Sequence, residues 1–160
     1  MLKVTGGGCS DAAINYIHVD DDILKKLCGI QAAVAGRPAA ENHAAVLRNF
    51  RNNRLAISFS GSFLIALYYI NSPELVRIFE ANPELKQEFG DIIEAYTPRI
   101  GQGLAWGPTA FNALEIARIE NMLQAIEEQG SWLLKVSIRY AVQQIRQEAF
   151  LQQYGIVVLP

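Results

Sequence analysis

The sequence predicts an all-α protein, a single-domain orthogonal helical bundle of six or seven helices that ends in a C-terminal antiparallel helical hairpin. Three observations predict it. From Ile23 to the last helical residues, apolar side chains recur mostly at three- and four-residue spacing, the period of a helix that buries one face. Cap signals stand at the joints between these stretches: Ser72-Pro73, Asn82-Pro83 and Gly130-Ser131. The tract from Leu55 to Pro73 carries no charge, as a helix surrounded by other helices would. With 160 residues, 51% of them apolar and 19% charged, the chain can bury roughly two thirds of the surface its unfolded form exposes. One domain over 1–160 is expected to fold without a metal or a disulfide framework, with 1–19 as an irregular N-terminal segment.

The first helix is expected to begin near Ile23, behind Asp20, Asp21 and Asp22, whose carboxylates suit the positive end of a helix dipole. Ile23, Leu24, Leu27, Ile30 and Val34 form its apolar face, and Gly36 with Pro38 stops it. The second helix runs from about Ala39 to Asn52 and buries His43, Val46 or Leu47, and Phe50. Arg48, Arg51 and Arg54 recur every third residue and read as a solvated helix end, where cations suit the dipole.

A helix over residues 55–70 would be about 24 Å long, short of the ~30 Å of hydrocarbon in a bilayer. Ser58, Ser60, Gly61 and Ser62 also crowd the tract and mark a break in it. A core segment is therefore expected, with Phe63, Leu64, Leu67, Tyr68 and Ile70 inside. SPELVRIFEA and NPELKQEFGD then repeat one capping pattern: Ser72 and Asn82 as N-caps, Pro73 and Pro83 at the first helical position. Two helix starts follow. TPRIGQGLAWGPT, 97–109, with three Gly and two Pro, reads as the longest loop, in which Trp106 either plugs the end of the bundle or marks a contact.

FNALEIARIENMLQAIEEQ and SWLLKVSIRYAVQQIRQEAFLQQY supply the strongest helices. Gly130 in the left-handed conformation and Ser131 as a cap predict a hairpin; a single unbroken helix over 109–154 is the alternative. The uncharged tail at 156–160 is expected to dock on the body or on a neighbouring chain.

Chemistry is sparse. A net charge of −2 argues against nucleic acid, whose affinity comes from clustered Lys and Arg, and no membrane association is expected. Cys9 and Cys28 are too few for a disulfide framework, and Cys28 reads as a free, buried thiol in a reducing, cytoplasmic setting. No secretory signal is read at the start of the chain. Two histidines in no metal-ligand spacing predict no metal site, and no cofactor is expected. GGGCS lacks the lysine of a phosphate-binding loop, and Cys9 with His18 or His43 matches no nucleophile signature. The catalytic residues are unassigned.

The leading functional expectation is an interaction module acting through a protein partner or through itself, as a homodimer. The alternative is a binding protein or small enzyme for a compact organic ligand, held near His43, Arg48, Tyr68 and Tyr69, with Trp106 as a further contact. An arginine beside a tyrosine hydroxyl suits an anionic, partly aromatic molecule.

Overall fold

The computed structural model describes residues 28–159. Cys9, His18, the acidic run at 20–22 and the first turns of the helix expected from Ile23 lie outside them. Seven α-helices, one π-helical turn and two short strands follow in the order α1 (Gly29–Val34), α2 (Ala40–Phe50), π turn (Arg51–Leu55), α3 (Phe59–Ala81), α4 (Pro83–Trp106), β1 (Thr109–Asn112), α5 (Ala113–Gln129), α6 (Trp132–Ile145), α7 (Glu148–Gln153) and β2 (Ile156–Leu159). The protein is an all-α helical bundle with a two-stranded ribbon. No helix among the described residues is long and apolar enough to cross a membrane.

The core joins the C-terminal half of α3 to α4, α5 and α6. Phe79, Ile92, Ile93, Tyr96, Phe111, Met122, Ile126, Leu134 and Ile138 are buried in it. The expected hairpin forms: Ser131 caps α6 by accepting from the Leu134 N–H at 3.5 Å, and Glu74 of α3 accepts from the Ser131 N–H at 2.6 Å. Gly130, however, is extended rather than left-handed, with φ −88° and ψ 160°. Glycine leaves room there, since a Cβ would come within 2.8 Å of the Leu134 side chain and that side chain would have to shift. The second arm ends at Ile145, and α7 follows as a separate short helix.

Two of the sequence expectations fail at prolines. Pro73 starts no new helix but sits within α3, and Pro98 sits within α4, which continues to Trp106 through the expected loop. An interior proline removes one helical hydrogen bond and costs ~3 kcal/mol. Both sites carry a polar residue just before the proline that bonds the carbonyl one turn back: Asn71 Nδ2 to Leu67 O at 2.7 Å, and Thr97 Oγ1 to Ile93 O at 2.8 Å. Asn71 also donates to Ser137 Oγ of α6 at 2.9 Å. Beyond the prolines, Val76, Ile78 and Phe79 in α3 and Gly103 in α4 are buried. Packing of the continued helix outweighs the local penalty. Asn82 and Pro83 cap α4 as expected, the Asn82 side chain accepting from the Leu85 N–H at 3.2 Å.

The apolar tail docks on its own chain. β2 pairs in parallel with β1, Thr109 opposite Ile156 through Asn112 opposite Leu159, using the β-branched residues that favour a strand. The uncharged tract is only half hidden. Ile65 is buried, but Phe63 and Ile70 are exposed, contrary to expectation, as are Ile57 and Phe59. α3 lies at the margin of the bundle, so one face packs and the other meets solvent.

Candidate functional site

α2 runs into the π turn without a break, and the Ala56 N–H bonds Arg51 O at 2.8 Å, five residues back. Asn52 and Asn53, poor helix formers, occupy this widened turn. Single π turns inside helical stretches occur often at functional sites. Ala44, Leu47, Arg48, Arg51 and Leu55 then fall on one side, spaced three and four residues apart, and line a cavity of about 260 Å³. Leu64, Ile65, Tyr68 and Tyr69 of α3 form the facing wall, and Cys28 and Ile30 the floor. Ser58 fixes the start of α3 by accepting from the Gly61 N–H at 3.0 Å, and Tyr154 Oη of the C-terminal segment holds Ser58 Oγ at 2.7 Å.

The structure thus brings Arg48, Tyr68 and Tyr69 around one cavity and leaves His43 and Trp106 away from it. His43 is buried on the α4 side of α2, where Nδ1 bonds Thr97 Oγ1. The Thr97 hydroxyl gives its single proton to Ile93 O, so His43 Nδ1 is the donor and the imidazole joins two helices. Trp106, 90% exposed, does not plug the bundle. It borders a separate surface cleft with Arg99, Thr109 and Glu115.

Cys28 is disulfide-bonded. The expectation of a free thiol is overturned, and the inference of a reducing compartment loses its ground. A disulfide sulfur has no proton to give, so the 3.1 Å contact between Cys28 Sγ and Tyr68 Oη is donated by Tyr68. The same hydroxyl accepts from the Ile30 N–H at 2.9 Å. Burial pushes the Tyr68 phenol up to about 12, so it stays protonated across the physiological range. Tyr68 therefore ties α3 to α1 through its hydroxyl and offers the cavity its ring.

Arg51 is the residue that the sequence reading missed. Expected at a solvated helix end, it is only 9% exposed and lies at the cavity wall. Its Nε donates to Asn52 Oδ1 at 2.8 Å, its Nη1 donates to Tyr69 Oη, and its guanidinium carbon stands 5.8 Å from the centre of the Tyr69 ring. Nη2 is buried with no hydrogen-bond partner. The signal available in the sequence was spacing: Arg48 is four residues from Ala44, and Arg51 is four from both Leu47 and Leu55, which share their face.

Comparison of the chain with family models, curated proteins and solved structures finds no match. Among the described residues no group of three or more His, Cys, Asp or Glu side chains is placed to hold a metal ion.

Proposed function

We propose that the protein binds a small organic molecule in the cavity between α2 and α3. The observation that carries this reading is the cavity itself, apolar on both walls and bordered by Arg48, Arg51 and two tyrosine rings. Apolar enclosure with a few convergent polar groups is the usual form of a ligand site. An apolar cavity of ~150 Å³ takes benzene, so about 260 Å³ suits a ligand of roughly ten non-hydrogen atoms. The test is ligand-observed NMR against a library of that size, run on the wild type and on Leu64→Trp, which fills the space. Hits that lose their signal with the variant support the reading. Hits that bind both proteins alike, or none at all, sink it.

A second reading, action through a protein partner or a second copy, is favoured by a different feature. Phe59, Phe63, Ala66 and Ile70 recur at four, three and four residues on α3, and the first, second and last are exposed. Leu133 and Val136 of α6 are exposed as well, and Phe63 meets Tyr140 of α6 edge to face at 5.2 Å. An apolar surface spanning two helices is a common mark of an interface. Sedimentation of the wild type against Phe59→Ser/Ile70→Ser, and against a chain lacking residues 156–160, tests it. A wild type that remains monomeric at high concentration and captures no partner removes this reading.

A further inference from the structure

We infer that the ligand of the α2–α3 cavity is an apolar monocarboxylate whose carboxylate sits on Arg51; this rests on the proposed binding function and names its chemical class. A guanidinium carries five N–H groups. One, on Nε, goes to Asn52 and one, on Nη1, goes to Tyr69, which leaves three, both of those on Nη2 among them. Nη2 is buried without a partner, and the residue is 91% withdrawn from solvent, the complement of its 9% exposure. A buried cation without a counter-charge is unfavourable, because water has been removed and nothing replaces it.

Among the described residues no such counter-charge is supplied. The lining contributed by the described residues contains no Asp or Glu, while Arg48 adds a second positive charge. No ion pair joins Arg48 or Arg51 to a carboxylate among the described residues. An anion is the missing component. Three features select a carboxylate with a hydrocarbon body. A guanidinium with N–H groups to spare is planar and can hold two carboxylate oxygens at once. Tyr69 lies against the guanidinium and holds its orientation. Apart from Gln31, the remaining wall, with Ile30, Leu47, Phe50, Leu55, Leu64 and Ile65, is largely hydrocarbon and would not serve a bare inorganic anion.

Octanoate and octanamide, each with about ten non-hydrogen atoms, match the cavity and differ in charge, which makes them suitable ligands for calorimetric titration. Octanoate should bind the wild type, and octanamide at least ~10-fold more weakly, because its neutral head group brings no negative charge to the guanidinium. Arg51→Met should weaken octanoate on the order of 10- to 100-fold and octanamide by clearly less, so that the preference between them shrinks. The urea midpoint of this variant without ligand should not fall, since an unpaired buried charge has been removed. Should Arg51→Met fail to fold, Arg51→Lys keeps the charge without the fork and should give intermediate octanoate affinity. 3-Phenylpropanoate in parallel separates a flexible body from an aromatic one, and preference for octanoate over octanamide supports the class.

Equal affinity for octanoate and octanamide, or octanoate binding unmoved by Arg51→Met, overturns the carboxylate assignment. If Leu64→Trp still abolishes that binding, the cavity remains the ligand site and only its class is wrong. No binding of any of the three compounds to the wild type overturns the carboxylate, and the library screen then decides the cavity on its own.

Discussion

Arg99 and Arg51 each lay a guanidinium against a tyrosine ring, Tyr96 at 5.2 Å and Tyr69 at 5.8 Å from the ring centre, and then diverge. Arg99 also covers Phe111 at 4.9 Å, grips both oxygens of Glu115 at 2.6 and 3.2 Å, and donates to Ala110 O. Arg51 has no carboxylate among the described residues, and one of its nitrogens has no acceptor. The surroundings differ in the same sense. On the hairpin, Glu127 pairs with Arg139 and Glu120 with Arg146, over a core of Met122 and Ile126. Around the π turn, Arg48 and Arg51 face a cavity. In one region the guanidinium groups meet carboxylates, and in the other they border an apolar cavity without one among the described residues. A fold retains such an opening at a cost to stability, and functional sites are where that cost is tolerated.

The largest test of this contrast is truncation on each side. Phe79 is 1% exposed and stacks on Phe89 at 5.1 Å, so Phe79→Ala should lose about 3–5 kcal/mol in urea denaturation. Leu64→Ala enlarges an existing space beside a half-buried side chain and should lose only about 1 kcal/mol, with most of the transfer term already absent. Equal losses would mean that the α2–α3 corner is as tightly packed as the core.

Next in size is Gly61→Ala. A Cβ at Gly61 would stand 2.1 Å from Leu55 O and 2.7 Å from its carbonyl carbon. Backbone cannot swing aside as a side chain can, so the first turn of α3 must move off the π turn. A loss of about 1–3 kcal/mol is expected, together with loss of ligand binding, because Leu55 lines the cavity. Binding retained at full strength would show that the π turn is not what shapes the site.

How far the sequence was legible follows the same division. Where a cap makes its own hydrogen bond, as at Asn82 before Pro83 and Ser131 before α6, local chemistry decided the outcome and could be read directly. Where the outcome depended on a distant partner, it could not. Pro73 and Pro98 have the local form of breakers, and only the burial of Phe79 and the anchoring of Asn71 on Ser137 carry α3 through. Phe63 and Ile70 read as core from their uncharged neighbourhood, but being apolar does not place a residue inside when its helix lies at the margin. Of the site, Arg48, Tyr68 and Tyr69 were legible as a group on two adjacent helices. Arg51 was not, because an arginine next to two asparagines near a helix end resembles a solvated one until the π turn brings it to the cavity.

A paired substitution compares the arginines directly. Arg99→Met leaves Glu115 without its cation and should lower stability by about 1 kcal/mol, in keeping with a partly exposed pair and its ring contacts. Arg51→Met should leave unliganded stability unchanged or raise it. The sign of the difference, read as two urea midpoints under one condition, is what matters. A fall for Arg51→Met equal to that for Arg99→Met would identify Arg51 as a structural residue and remove the contrast.

The smallest effect concerns acid. The Arg99 guanidinium, and after it the Asn112 N–H, hold the Glu115 carboxyl below its ordinary value of 4.5. Because the folded state binds the proton less readily than the unfolded one, the stabilisation is present above that ordinary value and disappears as pH falls through the lowered folded value. Glu115→Gln removes the charge but keeps a side chain able to accept from the Asn112 N–H at the third position of α5, a role glutamine fills in a capping box. The variant should therefore start slightly less stable than the wild type near neutral pH. On acidification below 4.5 the two stabilities should converge, as the wild type loses what the variant never had. Thermal midpoints across this acid range check the prediction, and parallel curves would mean that the Arg99–Glu115 pair contributes nothing and that the charge closure on this side of the molecule is geometric only.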